Sequence, residues 1–149
     1  MTTPFTLNIK VTHKDIDGLN HVNNEVYLNW LILAATSHSR HLGWNFQSYL
    51  ARGEAFVVRR HELDYLASAV LDDDLIIETW IESIERAKSV RVYKIIRQRD
   101  QKIIMEAKTL WVYISMTTGK SKDIPEDIRA SFFPTIIPPQ KKIMADLSE

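Results

Sequence analysis

Apolar and polar positions follow two different periods along this chain. On a helical wheel at about 100° per residue, Val26, Tyr27, Trp30, Leu31, Leu33, Ala34 and Leu42 fall on one broad apolar arc. Glu25, Asn29, Thr36 and Arg40 fill the narrow polar stripe that remains. An arc that wide predicts a long helix, residues 24–41, covered on most sides as a helix wrapped by a sheet would be. Gly43 is its expected stop, because glycine takes the left-handed conformation just past a helix end. A short helix over 46–52 follows, and then the period shortens to about two. Strands are expected over 55–66, 75–84, 89–99 and 103–115, with 6–11 as a first strand. In the last of these, Ile103, Met105, Ala107, Thr109, Trp111 and Tyr113 alternate with Ile104, Glu106, Lys108, Leu110 and Val112. The polar runs 72–74 and 99–102 supply turns. Pro125 suits the first position of a final short helix reaching about Phe132. One strand, one long helix and then about four mostly antiparallel strands define an α+β protein.

Composition narrows this reading. A chain of 149 residues, 45% hydrophobic and 26% charged, fits one globular domain. We assign that domain to residues 1–133. Pro134, Pro138 and Pro139 mark residues 134–149 as an arm or tail, with Lys141 and Lys142 solvated. Nineteen basic and nineteen acidic residues cancel, so no global field favours nucleic acid or an anionic membrane as partner. The absence of cysteine excludes disulfides and thiolate chemistry and suits a reducing cytoplasm. Residues 1–10 lack a basic segment followed by an apolar run, and no window approaches about 18 uninterrupted apolar residues. A cytoplasmic protein without a membrane span is therefore expected.

Candidate chemistry concentrates in residues 15–27, where Asp15, Asp17, His21, Asn23 and Asn24 crowd the entrance to the apolar helix. A helix start offers unpaired N–H groups and a positive dipole end, which favour negative charge developing nearby. Asp17 and His21 are the acid–base groups of such a site, and Asp15 reads as structural. Glu62 and Asp64 alternate onto one strand face, from which they are candidates to orient water or His21. His38 and His41 are three apart on the apolar arc. No carboxylate or cysteine completes a metal-ligand set with them, so they are read as buried, hydrogen-bonded histidines and no metal is expected.

Further landmarks extend the pattern: Asp15-x-Asp17, His21-Val22-Asn23-Asn24, Tyr27 and Trp30 are followed by Asp64-Tyr65-Leu66 and by Asp74, Leu75 and Thr79. Tyr93, Arg97, Trp111-Val112, Thr118-Gly119-Lys120 and Ile124-Pro125 complete the series. From about residue 5 to about residue 130 the chain resembles the hotdog-fold acyl-thioester hydrolases, the 4-hydroxybenzoyl-CoA thioesterase family. The motif around His21 is also similar to that of plant acyl-ACP thioesterases. The resemblance implies a curved antiparallel sheet of about five strands wrapped around the 24–41 helix. It implies a homodimer or homotetramer with active sites at a subunit interface, and hydrolysis of acyl-CoA or acyl-carrier-protein thioesters without a cofactor.

Asp17 corresponds to the family's catalytic carboxylate, ten residues before Tyr27. It either attacks the carbonyl to form a mixed anhydride or activates water. His21 shares a proton or fixes the loop, and Asn24 matters through its backbone N–H as oxyanion donor. Asn23 and Tyr27 are expected around the substrate, Glu62 in the same cleft, and Lys88 and Arg91 near the phosphates of coenzyme A or an acidic carrier. Tyr27, Trp30 and Trp80 are expected to line the core or an acyl tunnel. Three departures stand out. Asn20 replaces a common glycine, with Gly18 offering flexibility two residues earlier. Asn24 replaces a histidine of some relatives, and Leu19 replaces an asparagine of the plant enzymes. Two other readings share the fold: a non-catalytic acyl-CoA-binding protein and a 3-hydroxyacyl-thioester dehydratase.

Overall fold

The computed structural model describes residues 2–139. The elements run β1 (Phe5–Lys10), α1 (Asn24–His41), α2 (Phe46–Arg52), β2 (Glu54–Tyr65), β3 (Asp74–Glu85), β4 (Lys88–Arg97), β5 (Lys102–Ser115) and α3 (Glu126–Phe132). Short 3-10 turns occupy His13–Asp15 and Phe133–Thr135. Both long periodic segments adopt the expected structure, and Gly43 follows α1 with φ of 95°. Pro125 stands one place outside its expected position, as the N-cap of α3.

All five strands form one sheet in the order β1-β3-β4-β5-β2, and every pairing is antiparallel. Bulges at 58/60 in β2 and 81/83 in β3 add local bend and twist to the sheet. The sheet wraps α1, as the hotdog architecture requires. Tyr27, Trp30, Leu31, Ala34 and Ala35 of α1 meet Leu75, Ile77, Tyr93, Ile95, Met105 and Ala107 of the strands in the main core. Burying side chains of this size contributes about 1.5–3 kcal/mol each.

The wheel overstated how much of α1 is covered. Leu33 remains 43% exposed and Leu28 and Ile32 are half-buried, because one curved sheet reaches only one side of the helix. A second cluster, Ile81, Tyr113, Ile124, Ile128 and Phe132, lies under α3. Beyond Phe133 the chain stays on the sheet: Ile136 bridges Ile81, and the Ile137 N–H donates to the Ile81 carbonyl at 2.9 Å. Lys141 and Lys142 lie outside the described residues. No helix among the described residues is long and apolar enough to cross a membrane.

Candidate active site

The segment before α1 is a closed loop built by its own polar groups. Buried Asp15 accepts through Oδ2 from the Thr12 N–H at 2.9 Å and the Thr12 hydroxyl at 3.1 Å, and its carbonyl accepts from the Asn23 N–H at 2.9 Å. That is the structural role expected of it. The Asp17 N–H donates to the His21 carbonyl at 2.8 Å, which draws the intervening residues into a turn. Asn20 closes this turn in the left-handed region at φ of 63°. Asparagine tolerates that conformation better than other non-glycine residues. Gly18, expected to supply the flexibility, has no positive φ, so Asn20 itself takes the left-handed turn position.

Asp17 Oδ1 accepts from the Leu19 N–H at 2.8 Å and the His21 N–H at 3.3 Å. Its Oδ2 has no hydrogen-bond partner among the described residues, and the side chain faces solvent. Asp17 therefore caps a turn with one oxygen and presents the other. Asn23 is the N-cap of α1, accepting from the Glu25 N–H. The Asn24 N–H, first in the helix, has no partner among the described residues.

A second segment, residues 66–73, holds this loop in place. Val22 N–H donates to the Ala69 carbonyl at 3.0 Å, and His21 bridges Val70. Arg97 fixes the segment by donating to the Ser68 carbonyl while Asp100 grips its guanidinium bidentately. Buried Asp73 accepts from the Val70 N–H and from Arg99 Nε. Sequence reading placed Asp73 in a polar turn and Arg97 among the landmarks, without either contact. Both join groups more than twenty residues apart, which no local period reports.

Several expected site residues lie elsewhere. Tyr27 is 3% exposed, and its hydroxyl accepts from the Ala69 N–H at 3.0 Å, so it sits in the core and ties α1 to the 66–73 segment. Burial pushes its pKa up. Glu62 and Asp64 do share a face, but it is the convex one. They stand opposite Lys108 and Glu106, whose neighbours Ala107 and Thr109 point into the core. Glu62 pairs with Arg60 at 2.6 Å. Trp80 also turns outward, between inward-facing Thr79 and Ile81. Lys88 is exposed at the start of β4, as expected.

Arg91 is not a surface cation. Only 5% exposed, its Nη1 donates to His38 Nδ1 at 2.9 Å and to Thr79 Oγ1 at 3.1 Å. Burial above all, with Arg91 and His41 adding to it, lowers the His38 pKa to about 4, so the imidazole is neutral and accepts. His38 is thus buried and bonded as expected, whereas His41 is exposed and lies against Phe5.

A cavity of about 500 Å³ opens beside the second half of α1, between α2, α3 and the ends of β3, β4 and β5. Its wall begins at Ala35, eleven residues from Asn24, or about 16 Å along the helix.

A curved antiparallel sheet wrapped around one helix defines a hotdog protein. The sequence pattern of the thioesterase-like superfamily matches residues 11–132, and the chain belongs to that family. It is similar to the acyl-CoA thioester hydrolase YbgC of Escherichia coli O6:H1, with 31% identity over 131 residues, 88% of this chain and 97% of the relative. The long-chain acyl-CoA thioesterase FadM of Escherichia coli K12 is 27% identical over 121 residues, 81% of this chain and 91% of that one. Among solved structures, the Staphylococcus aureus protein SAV2348, in complex with CoA, superposes with a TM-score of 0.87. At 16% identity, covering 100% of this chain and 95% of the other, that likeness shows a common fold.

Proposed function

We propose that the protein hydrolyses acyl-CoA thioesters to free acid and thiol, with Asp17 as the reacting carboxylate. The observation that carries this reading is the Asp17 loop. One carboxylate oxygen is held by two backbone N–H groups while the other is open, and an unpartnered helix-start N–H lies seven residues on. The open oxygen either attacks the thioester carbonyl carbon or takes a proton from an attacking water. The Asn24 N–H, at the positive end of α1, stabilises the oxyanion, a contribution of about 3 kcal/mol for a well-placed donor. Collapse of the intermediate breaks the C–S bond, and the thiolate leaves and is protonated. His21, exposed on the same loop, is the near group that carries that proton. Where Asp17 itself attacks, water then cleaves the resulting mixed anhydride to release the free acid and restore the carboxylate. The family membership and the similarity to YbgC and FadM support acyl-CoA as the substrate class. Acyl-carrier-protein thioesters remain in the same chemical class.

The assembly we infer is a homodimer or a dimer of dimers. β2 is an open edge of the sheet and leaves Val57 and Val58 39% and 38% exposed, with Tyr65 and Leu66 exposed at its end. Open apolar edges invite pairing with a second strand.

Asp17→Asn tests the mechanism. The amide oxygen still accepts from Leu19 and His21, so the loop keeps its shape while the charge is lost. Turnover of an acyl-CoA panel in a thiol-detecting assay should fall by about 100-fold or more with the melting temperature nearly unchanged. Undiminished turnover would exclude Asp17 as the reacting group. Parallel assays with an acyl-carrier-protein thioester decide between the two carriers.

A further inference from the structure

Two arginines lie on the inner face of β4, and only one has a carboxylate. Arg97 is 9% exposed, is gripped by Asp100 and gives its remaining Nη1 to Ser68. Arg91, six residues earlier, is more deeply buried. Its Nη1 reaches a neutral imidazole and a hydroxyl, and neither its Nε nor its Nη2 has a partner among the described residues. A guanidinium carries five N–H donors in a planar fork that matches a carboxylate. Leaving it buried without an anion is costly unless something else supplies the acceptor.

That guanidinium lines the cavity of about 500 Å³ beside α1. Trp44, Phe56, Ile84, Trp111 and Phe132 form apolar walls, and Arg40 brings a second cation to the lining. Among the described residues, no Asp or Glu lines the space. A volume in this range suits a small organic ligand, and an apolar cavity with one convergent charge selects an amphiphile of opposite sign.

We propose that this cavity binds an organic carboxylate with an aliphatic or aromatic body, and that Arg91 holds the carboxylate through its free Nε and Nη2. Burial holds the Arg91 pKa down at about 10, still well above neutral pH, so the reader remains a cation. The ligand chemistry has two sources: a free fatty acid, or the distal carboxylate of an acyl group whose other end is a thioester. Binding of the free acid does not depend on hydrolysis at Asp17. The second source rests on the thioesterase reading.

Calorimetry on the full chain with decanoate and decanol, which share a chain and differ in charge, tests the assignment. Decanoate should bind about tenfold more tightly or better, a preference that Arg91→Met abolishes while decanol affinity changes by no more than about twofold. Ile84→Trp, which narrows the cavity without touching Arg91, should weaken both ligands by about tenfold and keeps the test available if Arg91→Met does not fold. Equal binding of the two ligands to the unaltered protein overturns the proposal. So does a preference for decanoate that survives Arg91→Met, a decanoate affinity unchanged in Ile84→Trp, or displacement of decanoate by acyl-free coenzyme A through Arg91. Hydrolysis rates then separate the sources. A preference for the ω-carboxylated acyl-CoA over decanoyl-CoA that Arg91→Met removes identifies the substrate's distal carboxylate. Decanoate binding without that preference identifies the free acid. If neither thioester is cleaved while decanoate still binds, the hydrolase reading fails and the carboxylate pocket stands.

Discussion

Asn20 shows how a single position shapes the candidate site. Its φ of 63° closes the turn that brings the His21 N–H onto Asp17 Oδ1. Asn20→Ala should cost about 1 kcal/mol in urea unfolding, whereas Asn20→Gly should be neutral and Gly18→Ala nearly so, since a Cβ at Gly18 meets nothing within 4 Å. A larger loss at Gly18 would mean that the turn is organised differently. His38 gives a residue-scale prediction of another kind. Its folded pKa of about 4 lies below the usual histidine value of about 6.5, so between these values the unfolded chain binds more protons. The stability from neutral His38 is present above about pH 6.5 and is lost as pH falls towards 4. The unfolding free energy should decline over that window by up to about 2–3 kcal/mol. His38→Asn, which keeps an acceptor for Arg91 but does not titrate, should flatten the decline. A slope unchanged in that variant would assign the acid sensitivity elsewhere.

At the scale of elements, the amino end of α1 is held in place by the connection between β2 and β3. Tyr27 joins the two by accepting from the Ala69 N–H, and Ala69 in turn accepts from Val22 beside the site. Tyr27→Phe leaves a buried N–H without its acceptor and should cost about 1–3 kcal/mol in stability. Because the lost bond positions the loop, kcat should fall with KM little changed. Wild-type kinetics in a variant that is destabilised to this extent would separate Tyr27 from the site. The elements themselves were legible in the sequence, because the 3.6-residue and two-residue periods report burial on a single helix or strand. The bonds from Tyr27 to Ala69 and from Arg97 to Ser68 were not, since they link side chains to distant backbone groups that carry no side-chain signal.

For the whole molecule, the sheet ends at β2, and the partner we infer pairs along it. A two-fold interface meets each substitution twice. Val58→Lys should therefore shift the protein to monomer in analytical ultracentrifugation and, under the proposal that the active sites lie at that interface, reduce turnover along with it. A monomer of full activity would show that each chain holds a complete site. Cavity and loop lie at opposite halves of α1, so the acid–base groups and the apolar pocket are separated within one chain. This division is a property of the assembled helix and sheet.

By itself, the sequence determined the order of strands and helices and the start of α1 at Asn24. It also determined the cluster of Asp17, His21 and Asn24, because each depends on residues close along the chain. Tertiary structure decided which way those residues face. Glu62 and Asp64 share a strand face by alternation alone, yet only pairing with β5 turned that face outward, away from α1. Arg91 looked like one more cation at a strand start until the sheet curved over α1 and enclosed it with His38. The loop of residues 15–24 was readable because its bonds are local. The burial of Arg91 was not, because it depends on packing between segments 53 residues apart.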